Sequence, residues 1–169
     1  ARRCGDSERN LVPVSSSPDP TPPEEGRRPE HPPVTRIEDL AAAIGAELTA
    51  VGNEAPAGDT SVTGIDLRAQ GIRPGEIFAA LPGARAHGAS FAAEALDRGA
   101  VAVLTDAEGC DLVAAVASGP VAVLVHPDPR SVLGAASATV YGHPSRRMRV
   151  VGITGTSGKT TTAYLVEAG

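Results

Sequence analysis

SFAAEALDRGAVAVLTDAEGCDLVAAVASGPVAVLV, residues 90–125, is the stretch that decides the fold. Its first part reads as a helix that Gly99 ends. VAVLT at 101–105 then reads as an apolar strand, 111–118 as a helix, and VAVLV at 121–125 as a second apolar strand. Strands this short, and apolar at every position, suit a sheet covered on both faces. Their alternation with helices predicts an α/β fold with a mostly parallel or mixed sheet and crossover helices.

The pattern extends upstream. Residues 62–67 and 76–81 have strand character, and Pro82-Gly83 is a turn signal. Ile37, Leu40, Ala41 and Ile44 recur at helical spacing, with Thr35 and Glu38 placed for a capping box and Gly45 for a stop. Residues 1–33 hold eight of the fifteen prolines and no hydrophobic period. That composition predicts a disordered tail, either plain or a Pro-rich partner-binding segment.

Downstream, 129–141 is helical, with Leu133, Ala136 and Val140 on one face, and Gly142 and Pro144 break it. Arg149–Thr154 then reads as a strand feeding a Gly-rich loop. The break GHPSRR at 142–147 is the natural hinge. The expected division is therefore a tail at 1–33, a small α/β domain at 34–147, and the start of a second domain at 148–169. The chain opens on Ala1 and stops at Gly169 soon after the loop, so it reads as a piece of a longer protein.

Composition narrows the partners. The 169 residues carry a net charge of −5, with no basic block and only 2% aromatics. Nucleic acid is not the expected ligand, because neither an electrostatic footprint nor stacking platforms are present. No apolar run approaches the ~20 residues of a membrane span. Cys4 and Cys110 give neither a disulfide framework nor metal-ligand spacing, and a reducing, cytoplasmic compartment is the default.

The chemistry sits in VVGITGTSGKTTTAYLVEAG, residues 150–169. Strand, Gly-rich turn, Lys, Thr and helix in that order are the context of a phosphate-binding loop. Gly155, Thr156, Ser157, Gly158, Lys159, Thr160 and Thr161 make up its nucleotide-binding segment. The glycines let backbone N–H groups turn toward phosphate oxygens, and the following helix adds the partial positive charge of its N-terminus. Lys159 is expected to reach the β- and γ-phosphates of ATP, and Thr160 to set its hydroxyl on Mg²⁺. Lys159 is the only lysine beside fourteen arginines. A phosphate loop wants a compact ammonium on a flexible stem, which a planar guanidinium does not imitate. The eight-residue pattern G-x-x-x-x-G-K-[ST] is not met, because Ile153 stands where its first Gly belongs. The form present is G-T-x-G-K-T-T.

GITGTSGKTTT resembles the ATP loop of the Mur ligases, the enzymes that build the peptide of peptidoglycan precursors. The upstream segments resemble the family as well: Asp66-Leu67-Arg68, Gly75-Glu76-Ile77-Phe78-Ala79-Ala80, Gly83, His87-Gly88, then a helix and an apolar strand. The likeness covers about residues 60–169 and is strongest to the MurE type. It implies a UDP-binding first domain, a central ATPase and a C-terminal domain for the incoming amino acid. It also implies the reaction: ATP phosphorylates the free D-Glu carboxylate of UDP-MurNAc-L-Ala-D-Glu, and the amine of a diamino acid displaces phosphate. Carried over residue by residue, the substrate-binding set is Ile65, Asp66, Leu67 and Arg68 with Ala84, Arg85 and Ala86. Leu67 stands where the family usually has Ser, and His87 where it usually has Asp.

Several roles stay open at this level. Arg85 reads as a pyrophosphate ligand or as plain surface. Arg68 reads as a ligand, or as an ion-pair partner of Asp66 or Glu76. Asp66 reads as a site carboxylate or as a strand-end residue. His87, His126 and His143 share no ligand spacing and read as surface or capping histidines. The competing functions are a MurF-type or other Mur-family ligase, a non-catalytic UDP-sugar-binding module, and an unrelated P-loop NTPase. Residues 1–169 alone are expected to have no ligase activity.

Overall fold

The computed structural model of this chain describes residue 29, residues 32–52 and residues 60–168. The expected tail at 1–33 lies outside the described residues, apart from Pro29, Pro32 and Pro33.

Four short runs rich in Val, Ala and Ile form the parallel part of the sheet: β4 (Gly64–Asp66), β5 (Glu76–Ala79), β6 (Ala102–Thr105) and β7 (Val121–Val125). A further strand, β2 (Glu47–Val51), pairs antiparallel with β7, so the sheet is mixed, in the order β2-β7-β6-β5-β4. Separately, β1 (Thr35–Arg36) and β3 (Ser61–Val62) form a two-stranded ribbon. The helices are α1 (Ile37–Ile44), α2 (Ala92–Asp97), α3 (Ala107–Val116), α4 (Pro129–Val140) and α5 (Lys159–Ala168).

Alternation along each strand divides the core into two layers. Ile77, Ala102, Leu104, Ala122 and Leu124 point to one face and meet Leu40 and Ile44 of α1 and Ala136 and Val140 of α4. Phe78, Val103 and Val123 point to the other and meet Ala92 and Ala95 of α2 and Val113 of α3. With helices on both faces, the central strands β5, β6 and β7 are buried almost throughout, which is why they read as continuous apolar runs. The small side chains match the scarcity of aromatics; among the described residues Phe78 is the largest side chain fully buried.

The differences from the expected elements have local causes. Thr35 does not cap α1. It is paired in β1 opposite Val62, so Arg36 takes the N-cap position, its side chain bonded to the Glu38 carboxylate at 3.0 Å rather than to a backbone N–H of the helix. The far end of α1 ends as expected, on a left-handed Gly45. The strand expected at 62–67 is broken at Thr63 into β3 and β4, and Leu67 already lies in a bend. The helix expected at 111–118 begins four residues sooner, because the Asp106 carboxylate accepts the Gly109 N–H at 2.8 Å and caps it there. Residues 149–155 carry no strand pairing, and Val150 and Val151 are exposed. A strand needs a partner for its N–H and C=O groups, and among the described residues none lies alongside.

Among the described residues no helix is long and apolar enough to cross a membrane.

Candidate substrate cleft and phosphate loop

Parallel strands put all their C-terminal ends on one side of the sheet, which is where open α/β sheets bind ligands. On this side β4 ends in Asp66, and β5 runs into the loop 80–87. The two stretches expected to bind substrate, Ile65–Arg68 and Ala84–Ala86, thus follow neighbouring strands.

A cleft of about 910 Å³ opens at the β4 edge, within the usual size range of small-ligand sites. Ile65, Asp66, Leu67 and Arg68 all line it. Leu133 and Ser137 of α4 and Tyr141 at its C-cap also line it, as do Arg73 and Arg98. The cleft does not include Ala84, Arg85 or Ala86, which are exposed in their own loop.

The cleft-forming turn is held by its own polar groups. The Asp66 carboxylate accepts the Arg68 N–H at 2.8 Å, and the Arg68 Nε stands 3.8 Å from the same oxygen. Arg68 therefore pairs with Asp66 rather than Glu76, and its side chain stays 70% exposed. Glu76 is buried and accepts the Arg73 N–H at 2.9 Å. The Tyr141 hydroxyl receives the Ile65 N–H at 3.4 Å, tying α4 to β4. Sequence reasoning missed Tyr141, Arg73 and Arg98. Their only signal was chemical type, because helix periodicity does not say which residues border a cleft on another element.

The phosphate loop lies outside that cleft. Gly155 (φ 152°) and Gly158 (φ 76°) both hold backbone angles that a side chain would oppose. Thr156 and Ser157 form the bend between them, and α5 starts at Lys159. The Lys159 ammonium folds back and donates to the Gly155 carbonyl, closing the loop on itself. Thr162 donates its N–H and its hydroxyl to the Gly158 carbonyl, at 2.9 and 3.0 Å. Residues 154–166 are all exposed. Two glycines with positive φ and a helix beginning at the next residue define the turn, with the Lys159 ammonium folded over it. Among the described residues no cluster of three or more His, Cys, Asp or Glu could hold a metal ion.

Comparison with known proteins gives a consistent result. The model of the Mur ligase family, catalytic domain, matches residues 61–141. A protein of Streptomyces avermitilis named UDP-N-acetylmuramoyl-L-alanyl-D-glutamate--2,6-diaminopimelate ligase is 50% identical over 142 residues, covering 84% of this chain and 26% of that protein. Its namesake from Streptomyces coelicolor is 50% identical over 131 residues, 77% of this chain and 25% of its own length. The chain thus spans about a quarter of the length of these relatives. Among solved structures, the UDP-N-acetylmuramoylalanyl-D-glutamyl-2,6-diaminopimelate--D-alanyl-D-alanyl ligase of Acinetobacter baumannii superposes with a TM-score of 0.61. It covers 81% of this chain and 28% of its own, and at 21% identity the likeness is one of fold.

Proposed function

This chain carries a domain of the Mur ligase family, and from that premise we propose that it serves an ATP-dependent ligase of the MurE type. In this reading the enzyme is cytoplasmic and joins 2,6-diaminopimelate to the D-Glu carboxylate of UDP-MurNAc-L-Ala-D-Glu as an amide. Residues 34–147 hold the UDP end of the substrate, and 148–169 open the ATP-binding domain. The observation that carries the reading is the 50% identity over 142 residues to a protein of that name. The MurF-type alternative rests on a likeness of fold at 21% identity and is weaker.

The residues support a division of labour. Ile65–Arg68 and Ala84–Ala86 bind the nucleotide end, with the mobile charge of Arg68 or Arg85 meeting the diphosphate. Leu67 offers an apolar surface where a hydroxyl would otherwise bond the nucleotide, leaving backbone groups to do so. In the loop, Gly155–Gly158 amides and the start of α5 surround the ATP phosphates, and Lys159 exchanges the Gly155 carbonyl for a phosphate oxygen. Thr160 holds Mg²⁺. ATP supplies the activating phosphoryl group; the protein's part is to place it and to offset charge in transit.

Calorimetric titration of the chain with UDP-MurNAc-L-Ala-D-Glu tests the first half, and saturable binding is expected. Failure to bind any UDP ligand overturns it. For the second half, Lys159→Ala in the whole ligase is expected to cut tripeptide formation by about 10²-fold or more. UDP-ligand binding should not change.

A further inference from the structure

The loop between β5 and α2 is exposed at its tip but tied at both ends. At its base the Gly88 N–H donates to the Leu81 carbonyl at 2.9 Å. At its start Arg130 of α4 donates to the Pro82 carbonyl at 3.1 Å. At its end sits His87, whose side chain is only 8% exposed. From the geometry of this last tie we propose that His87 is a positioning residue, holding Ala84–Ala86 in the conformation that receives the nucleotide end of the substrate. The proposal rests on the assignment of that loop to the UDP ligand.

The ring's hydrogen bonds fix its state. The Ala89 N–H donates to His87 Nδ1 at 3.0 Å, so Nδ1 carries a lone pair. Nε2 lies 3.0 Å from the Asp106 carboxylate and must carry the proton that it donates there. The same Asp106 oxygen accepts the Gly109 N–H and caps α3. One neutral imidazole thus joins the end of the loop to the N-terminus of a separate helix, using both nitrogens. Packing seconds it: a Cβ on Gly109 would come within 2.6 Å of the ring Cε1. Residues 82–86 between these ties are all exposed, and a Cβ on Gly83 would come within 2.7 Å of the Ala86 carbonyl oxygen. Without the His87 anchor the tip would have to be ordered by the ligand, at the ligand's expense in affinity.

The imidazole's two jobs can be separated. His87→Asn puts an acceptor near the Nδ1 position and keeps the Ala89 bond. His87→Gln reaches toward the Nε2 position and keeps the Asp106 bond. His87→Ala loses both. Binding of UDP-MurNAc-L-Ala-D-Glu to each is measured by calorimetry, and exchange of the 83–89 amides by NMR. His87→Ala is expected to weaken binding roughly three- to tenfold, the weight of ordering one or two loop groups. Its loop amides should exchange faster while those of β6 stay protected. Asn and Gln should each recover part of the affinity. A purely structural histidine would instead lower the melting temperature and leave Kd unchanged in folded protein; that result overturns the proposal. Should His87→Ala fail to fold, Asn and Gln decide it, since wild-type Kd in both would refute the role. If the wild type itself binds no UDP ligand, the functional reading fails first. Faster exchange of the loop amides in the variants would still report whether His87 fixes the loop.

Discussion

VAVLV at 121–125 and VVGIT at 150–154 are both short valine-rich runs, and they are opposites in structure. The first is β7, with β2 on one side and β6 on the other, and Leu124 is 0% exposed. The second pairs with nothing among the described residues, and Val150 and Val151 are 70% and 68% exposed. β-branched residues favour extended backbone in both. What differs is the supply of neighbours to satisfy the backbone and cover the side chains. The helix after the second stretch forms nonetheless, because α5 closes its hydrogen bonds within itself. The two glycines of the phosphate loop likewise turn by local preference. The Gly-rich turn is thus encoded locally, and pairing of the segment leading into it is not.

The sharpest test of that contrast is a matched pair of truncations. Leu124→Ala should cost about 2–5 kcal/mol, the usual penalty for emptying a packed leucine site. Val151→Ala should fall within about 0.5 kcal/mol of wild type, as exposed substitutions do. Urea denaturation followed by circular dichroism measures both. Equal losses would mean that Val151 is covered in solution.

A smaller effect is expected at Gly109, in the first turn of α3. An added Cβ would collide with the Thr105 hydroxyl and press on the His87 ring. Thr105 cannot easily yield, because it is fully buried and its hydroxyl donates to the Ala80 carbonyl at 2.9 Å. Gly109→Ala should therefore destabilise by about 1–3 kcal/mol despite the better helix propensity of Ala. Gly134, in α4 with open space around its Cβ position, is the control. Gly134→Ala should leave stability unchanged or raise it by up to about 1 kcal/mol.

How much the sequence discloses follows the same divide. The buried strands were legible because covering both faces demands unbroken apolar runs, and Gly45 was legible as a stop because its left-handed conformation is local. β2 was not, since ELTAV is half polar and becomes a strand only by pairing with β7. Asp106 was passed over as a cap, although Asp three residues before Gly109 carries that signal. The Gly-rich turn at 155–158 and the helix that follows it were readable because both are local: two glycines with positive φ, then α5 from Lys159. The cleft was readable only at Ile65–Arg68. Tyr141 and Arg98 reach it from elements distant in sequence, and only the sheet order brings them there. His87 was read as a surface or capping residue; it caps but is nearly buried, and its second bond to Asp106 depends on β5 and β6 lying side by side.

The smallest effect expected concerns Cys110, which packs at the edge of the layer formed by Phe78, Val103 and Val113. Partial burial pushes its thiol above the usual range, and the negative charges of Asp111 and Glu47 push the same way. A raised value means less thiolate at any given pH, and thiolate is the reactive form. With Cys4→Ser removing the other thiol, iodoacetamide should label folded protein more slowly than urea-unfolded protein at pH 8. The gap should narrow as pH rises and the folded thiol begins to ionise. Replacing Asp111 by Asn removes one charge without touching the burial, so labelling should speed up only modestly, because burial is the larger cause. Full recovery of the unfolded rate in Asp111→Asn would reverse that ranking. It would mean that the site is wet, unlike the dry layer on which it borders.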